Sequence, residues 1–145
     1  MTLGARDLVV LDTSVVIHLA RDDATGREIE RQFSLAQRVE RPLISSVTRG
    51  EAGGLGRYRN WGIQRMSRLE GILDELVTVD AGRSQVVEAY SELYAMSRHS
   101  GHPMGNNDLW IAATCVAARA HLITNDTDFD WMHPQILRRY YVKPL

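Results

Sequence analysis

Only one cysteine, Cys115, occurs in the 145 residues. No internal disulfide can form, and a reducing, cytoplasmic setting suits such a chain. Lysine is almost missing: among 17 cationic residues only Lys143 is a lysine, and the others are arginines. There is no excess charge of either sign, since 18 acids leave a formal net charge of −1. That argues against a generally basic nucleic-acid binder and against a polyanionic tail, but not against a local basic patch. Long apolar runs are lacking as well. The longest, residues 109–118, reaches about half of the ~20 residues a membrane span needs, and Thr114 interrupts it. The start, MTLGARDLVVLD, places acids where a signal peptide requires an unbroken apolar segment. Neither secretion nor membrane insertion is expected. Repeats, low-complexity stretches and Pro/Gly/Ser linkers are also missing, so residues 1–145 are expected to form one domain.

With 44% hydrophobic residues the chain can bury a real core. Five short apolar runs read as strands, at residues 8–11, 42–45, 76–79, 121–124 and 138–142. Helical periodicity fills the spaces between them, at residues 14–20, 26–39, 48–59, 61–73, 81–98 and 108–120. The third and fourth of these are expected to form a bent pair, broken near Gly53-Gly54-Leu55-Gly56. Residues 108–120 are apolar nearly all round, as in a helix packed inside a domain. Strands alternating with helices imply a three-layer α/β sandwich, a central, mainly parallel five-stranded sheet flanked by helices. Ligand sites in such sheets gather beyond the carboxyl ends of the strands.

Four acids stand at those ends. Asp12 follows the first strand, in Leu11-Asp12-Thr13-Ser14. Glu51 sits early in the helix after the second, in Thr48-Arg49-Gly50-Glu51. Asp108 opens the most apolar helix, in Asn106-Asn107-Asp108-Leu109. Asp126 follows the fourth strand, in Thr124-Asn125-Asp126-Thr127. Taken singly, Asp12 and Asp108 read as helix caps, Glu51 as a first-turn acid favoured by the helix dipole, and Asp126 as part of an acid-rich turn. Together, all four converge on one sheet edge, where carboxylates without cations would repel one another. A divalent metal site explains the set better than four unrelated caps. An all-oxygen donor set with no His or Cys at zinc spacing favours a hard ion, Mg²⁺ or alternatively Mn²⁺.

Four strings, in order, carry a resemblance: Val9-Val10-Leu11-Asp12-Thr13-Ser14, Ser45-Ser46-Val47-Thr48-Arg49-Gly50-Glu51, Asn107-Asp108-Leu109-Trp110-Ile111-Ala112-Ala113 and Ile123-Thr124-Asn125-Asp126-Thr127-Asp128-Phe129. Over nearly its whole length the chain resembles the PIN-domain ribonucleases, and within them the VapC-type toxins of bacterial toxin–antitoxin pairs. The resemblance implies a PIN-like sheet with an acidic, metal-binding pocket at its carboxyl edge. It also implies endoribonuclease activity, homodimers and inhibition by a small VapB-like antitoxin through which alone promoter DNA would be bound. Asp12, Glu51, Asp108 and Asp126 match the family's acidic positions, with Asp128 and Asp130 as auxiliaries. Thr13 and Thr124 match polar positions that support the pocket. The glycines at 53–56 depart from the commoner helix after the glutamate. Phosphodiester hydrolysis by water activated on carboxylate-held metal needs neither a histidine base nor a nucleophilic serine, and would leave a 5′-phosphate and a 3′-hydroxyl.

Residues 49–68 hold five arginines, Arg49, Arg57, Arg59, Arg65 and Arg68, against the single acid Glu51. With Tyr58 and Trp61 among them, this segment is suited to backbone phosphates and unpaired bases, or to docking a subunit or antitoxin. His99 and His102 bracket a turn and read as a solvated loop, not a metal pair. Cys115 reads as a buried small residue, and Trp110 and Trp131 as core or dimer-contact aromatics. A haloacid-dehalogenase-type hydrolase would need a second Asp where Ser14 stands, and a dinucleotide site would need a glycine-rich turn after the first strand. The remaining alternatives are a PIN-like module that binds RNA or a partner without cutting, and a metal-dependent DNA nuclease.

Overall fold

A computed structural model describes residues 2–145. Five strands, β1 (Val9–Leu11), β2 (Leu43–Ser45), β3 (Val77–Val79), β4 (His121–Thr124) and β5 (Arg139–Tyr141), form one sheet in the order β3-β2-β1-β4-β5. Every neighbouring pair is parallel, with Val10 opposite both Leu43 and Leu122. Each strand lies within a residue or so of the apolar run that marks it in the sequence. The helices are α1 (Thr13–Arg21), α2 (Ala24–Phe33), α3 (Ser46–Tyr58), α4 (Ile63–Glu75), α5 (Ser84–His99) and α6 (Asn106–Ala118), with short 3₁₀ turns at Leu35–Gln37 and Thr127–Met132. Among the described residues no helix is long and apolar enough to cross a membrane.

Side chains alternate across a strand, so the sheet separates two cores. Val10, Leu43 and Leu122 face α5 and α6 on one side, packing with Leu93, Leu109 and Phe129. Val9, Leu11, Ile44 and Ile123 face the other side, with Val15, Ile29 and Leu69 of α1, α2 and α4. Leu11 and Ile123 are fully buried. Burial of a side chain this large contributes about 1.5–3 kcal/mol. The strand ends that carry Asp12 and Asp126 are thus anchored from both faces.

Three expectations are corrected. The helix around Gly53-Gly54-Leu55-Gly56 does not break; α3 runs through it, and the chain turns at Arg59–Gly62, where Asn60 adopts a left-handed φ of 55°. Tertiary packing overrides local propensity there, because a Cβ at Gly56 would lie 2.7 Å from Met66 Sδ and 3.1 Å from Trp61 Cε3. The expected helix over 26–39 stops at Phe33, since Ser34 is left-handed at φ 48°. Finally, α5 begins three residues after position 81 because Asp80 holds the preceding turn, accepting from Gly82 N at 2.8 Å.

Gly26 sets how closely α2 approaches α1. A methyl there would meet the His18 carbonyl oxygen at 2.3 Å, and backbone cannot step aside as a side-chain tip can. Gly26→Ala should therefore lower stability by about 1–3 kcal/mol, read as a lower denaturant midpoint at unchanged slope. A midpoint equal to the parent's would refute this packing account.

Candidate functional site

The chain leaves β1 toward β2 and β3, then returns to place β4 on the opposite side of β1. The crevice beyond the carboxyl ends of β1 and β4 is the topological switch point, where open parallel sheets bind ligands. Asp12 caps α1 at the end of β1. Its carboxylate accepts from Thr13 N at 2.7 Å, Thr124 Oγ1 at 2.6 Å and Ser14 Oγ at 3.3 Å. The Thr124 hydroxyl in turn accepts from Asp126 N at 2.9 Å, so one residue at the end of β4 fixes both acids. Asp12 does cap, as its position suggests, but it is only 4% exposed, too dry for an ordinary cap. Burial pushes its carboxyl up to about 6, aided by the charge of Asp126 and opposed chiefly by the Thr124 hydroxyl.

Asp108 is not the cap of its helix. Gly105 holds that position, and Asp108 lies in the first turn of α6. Its carboxyl is pushed up to about 7 by burial first, then by the charges of Asp12, Asp126, Asp128 and Glu51. Glu51 lies in the second turn of α3, not the first. It is clamped from two elements: Thr13 Oγ1 donates to Oε1 at 2.7 Å and Asn107 Nδ2 donates to Oε2 at 2.8 Å. The Thr13 hydroxyl, its one proton spent on Glu51, accepts from the buried Thr48 hydroxyl at 3.0 Å.

Carboxylate oxygens of Asp108, Asp126 and Asp128 all lie within 4.8 Å of one another. Asp128 therefore stands nearer the centre of the cluster than an auxiliary position implies, whereas Asp130 turns away and pairs with Arg139 at 2.8 Å. Among the described residues no cationic side chain pairs with Asp12, Glu51, Asp108, Asp126 or Asp128. An arrangement of hard oxygen donors that repel one another fits a divalent cation. Asn107 and Thr48 escaped the sequence reading. The only sign of the first was its place next to Asp108, and the second showed itself only as a residue one turn before Glu51.

With this geometry in view, the family model described as "PIN domain" matches residues 9–132. The chain belongs to the PIN domain family. A relative named Ribonuclease VapC1, from Haemophilus influenzae (strain R2866), is 28% identical over 131 residues, spanning 86% of this chain and 96% of that relative. The fold is similar to that of a VapBC2 complex from Rickettsia felis bound to a promoter DNA fragment, at a TM-score of 0.77 and 24% identity over 92% of this chain and 98% of that one. VapBC-5 of Mycobacterium tuberculosis, a member of the VapBC family of toxin–antitoxin systems, gives 0.69 and 26% over 94% and 99%. The remaining candidates lie outside the acid cluster. Arg49 is anchored to Thr78 Oγ1 at 2.8 Å and the Leu73 carbonyl at 3.0 Å, and Arg68 to the Leu19 carbonyl at 3.2 Å. Arg57, Arg59 and Arg65 are exposed around Tyr58, itself 84% exposed, and Arg65 sits 5.4 Å over the Trp61 ring. His102 stacks on Trp131 at 5.2 Å, Trp110 stacks on Tyr90 at 3.9 Å, and the buried Cys115 thiol is pushed upward by burial, which keeps it protonated.

Proposed function

We propose that this PIN domain is a divalent-metal-dependent endoribonuclease, the toxin of a toxin–antitoxin pair. The observation that carries the reading is the cluster of acids at the switch point with no cationic side chain to balance it. Asp12, Glu51, Asp108 and Asp126, with Asp128, would hold Mg²⁺ or Mn²⁺. A bound ion of this kind polarises the phosphoryl oxygens and lowers the pKa of water. Thr124 fixes the Asp12 and Asp126 carboxylates, and Thr13 and Asn107 hold both oxygens of Glu51, so the donor set is oriented before substrate arrives. No side-chain nucleophile is required, and the cut leaves a 5′-phosphate and a 3′-hydroxyl. Arg57, Arg59 and Arg65 with Tyr58 would grip the strand, braced by Arg49 and Arg68.

The VapBC relatives support an antitoxin as partner, with DNA bound only through it. The exposed Val87 and Tyr94, seven residues apart on one face of α5, support a homodimer. The test is to incubate the chain with total RNA or single-stranded DNA, with Mg²⁺ or EDTA, and to map the ends. RNA cut only with Mg²⁺, bearing 5′-phosphates, is the expected result. DNA cut in preference to RNA, or RNA bound but never cut, would replace this reading with one of the alternatives. Specific operator binding by the isolated chain would contradict the assigned division of labour.

A further inference from the structure

A cavity of about 750 Å³ opens at the free edge of β5, apart from the acid cluster. Arg31, Arg38, Arg138 and Arg139 line it, and among the described residues no acid does. The larger cavity between α1, α2 and α4 differs, since Asp22, Glu30 and Glu75 share its lining with arginines. Phe33, Tyr140 and Tyr141 stand among the cations, with Phe33 edge-on to Tyr140 at 6.0 Å. Two buried polar atoms of the lining residues, Arg38 Nε and Tyr140 Oη, have no hydrogen-bond partner among the described residues. Buried donors left unpaired are costly, and an acceptor admitted from water or from a ligand would relieve that cost. Arg38 is held in place because its Nη2 donates to the Gly4 and Asp7 carbonyls at 2.9 and 2.6 Å. Arg31 and Arg139 are paired with Glu28 and Asp130 at the rim, contacts that a phosphate can share.

The cavity shares β5 with the acidic edge. β5 runs from it in register with β4, and Tyr141 lies opposite Thr124, the residue that fixes Asp12 and Asp126. At about 3.3 Å per residue, the three residues of β5 span only about 10 Å. Cations and aromatic rings beside a strand that leads toward the acids' edge match a single nucleic-acid strand better than a small free anion.

We propose that this cavity is a second RNA subsite, taking backbone phosphate and an unpaired base of the strand whose scissile bond lies at the acids. The proposal rests on the ribonuclease reading, but its test does not require cleavage. Fluorescence anisotropy in EDTA would compare a labelled 12-nucleotide RNA with a dinucleotide too short to span both sites. The proteins are the parent, Tyr140→Phe and Arg31→Gln/Arg138→Gln. The double variant should bind the longer RNA about 5- to 30-fold more weakly, with a log–log salt slope shallower by about 1.4, and should bind the dinucleotide more weakly too, since that ligand can seat in the cavity alone. Tyr140→Phe should weaken the longer RNA about 2- to 5-fold while melting no lower than the parent, because it removes an unpaired buried hydroxyl and no contact. Parent affinity and salt slope in folded variants would overturn the proposal, whatever the parent cuts. Inorganic phosphate that perturbs the cavity without competing with the longer RNA would also overturn it, marking a small-anion site instead. Weakened RNA binding in the variants of a parent that never cuts RNA would support the subsite and sink the ribonuclease reading alone.

Discussion

Asp12→Asn is expected to lower RNA cleavage by at least about two to three orders of magnitude, the scale on which a single preorganised electrostatic group acts. The substitution changes charge with almost no change of shape. The side chain at position 12 accepts from Thr13 N at 2.7 Å, which the amide oxygen of asparagine can still do. Its other oxygen accepts from Thr124 Oγ1 at 2.6 Å, and that hydroxyl can rotate to accept from an amide NH₂ instead. The fold, tested by circular dichroism and melting, should therefore survive while the negative charge needed to hold the cation is gone. Asp126→Asn should behave alike, since its backbone contact to Thr124 is untouched. Substantial Mg²⁺-dependent cleavage by a clean Asp12→Asn preparation would sink the assignment.

The metal-free protein should lose stability as pH rises from about 4 to about 7. Asp12 and Asp108 have their carboxyls pushed up to about 6 and about 7 in the folded chain. The folded state therefore binds more protons than the unfolded chain between the ordinary carboxyl range and those values, and stability falls as pH crosses that window. For the nearly dry Asp12 the shift amounts to something on the order of 2–3 kcal/mol. Asp108 is partly exposed, so its share is smaller than its shift implies. Asp108→Asn removes one charge from the cluster and should raise the metal-free melting temperature at neutral pH, or leave it unchanged, and flatten its fall with pH. Mg²⁺ binds the folded cluster better than the unfolded chain, so millimolar Mg²⁺ should raise the melting temperature of the parent by mass action. The rise should shrink in Asp108→Asn and vanish with excess EDTA. Equal Mg²⁺-induced shifts in both proteins would show that Asp108 takes no part in a shared site.

The sequence by itself determined the sheet and the edge that matters. Short apolar runs such as Val9-Val10-Leu11 and Leu122-Ile123 have to be buried on both faces, and a parallel sheet covered by helices achieves that. Once the strands are parallel, whatever follows each of them meets its counterparts at one edge, so Asp12 and Asp126 were legible as neighbours although 114 positions apart. What the tertiary structure alone decided is how the acids are held and which of them draw closest. Glu51 is fixed by Thr13 and Asn107 across separations of 38 and 56 residues, contacts that leave no local pattern in the chain. The choice of Asp128 over Asp130 depends on the 3₁₀ turn that follows β4, which directs one carboxylate into the cluster and the other onto Arg139. The glycines of α3 could not be read locally either. Their cost to an isolated helix is real, about 1 kcal/mol each, but Gly56 must lie against Trp61 and Met66, a demand that exists only once α3 and α4 pack together. Likewise the arginines of residues 49–68 look alike in sequence. Arg49 and Arg68 reach backbone carbonyls of other elements, at Leu73 and Leu19, whereas Arg57 donates only within its own helix, to the Gly53 carbonyl at 3.1 Å.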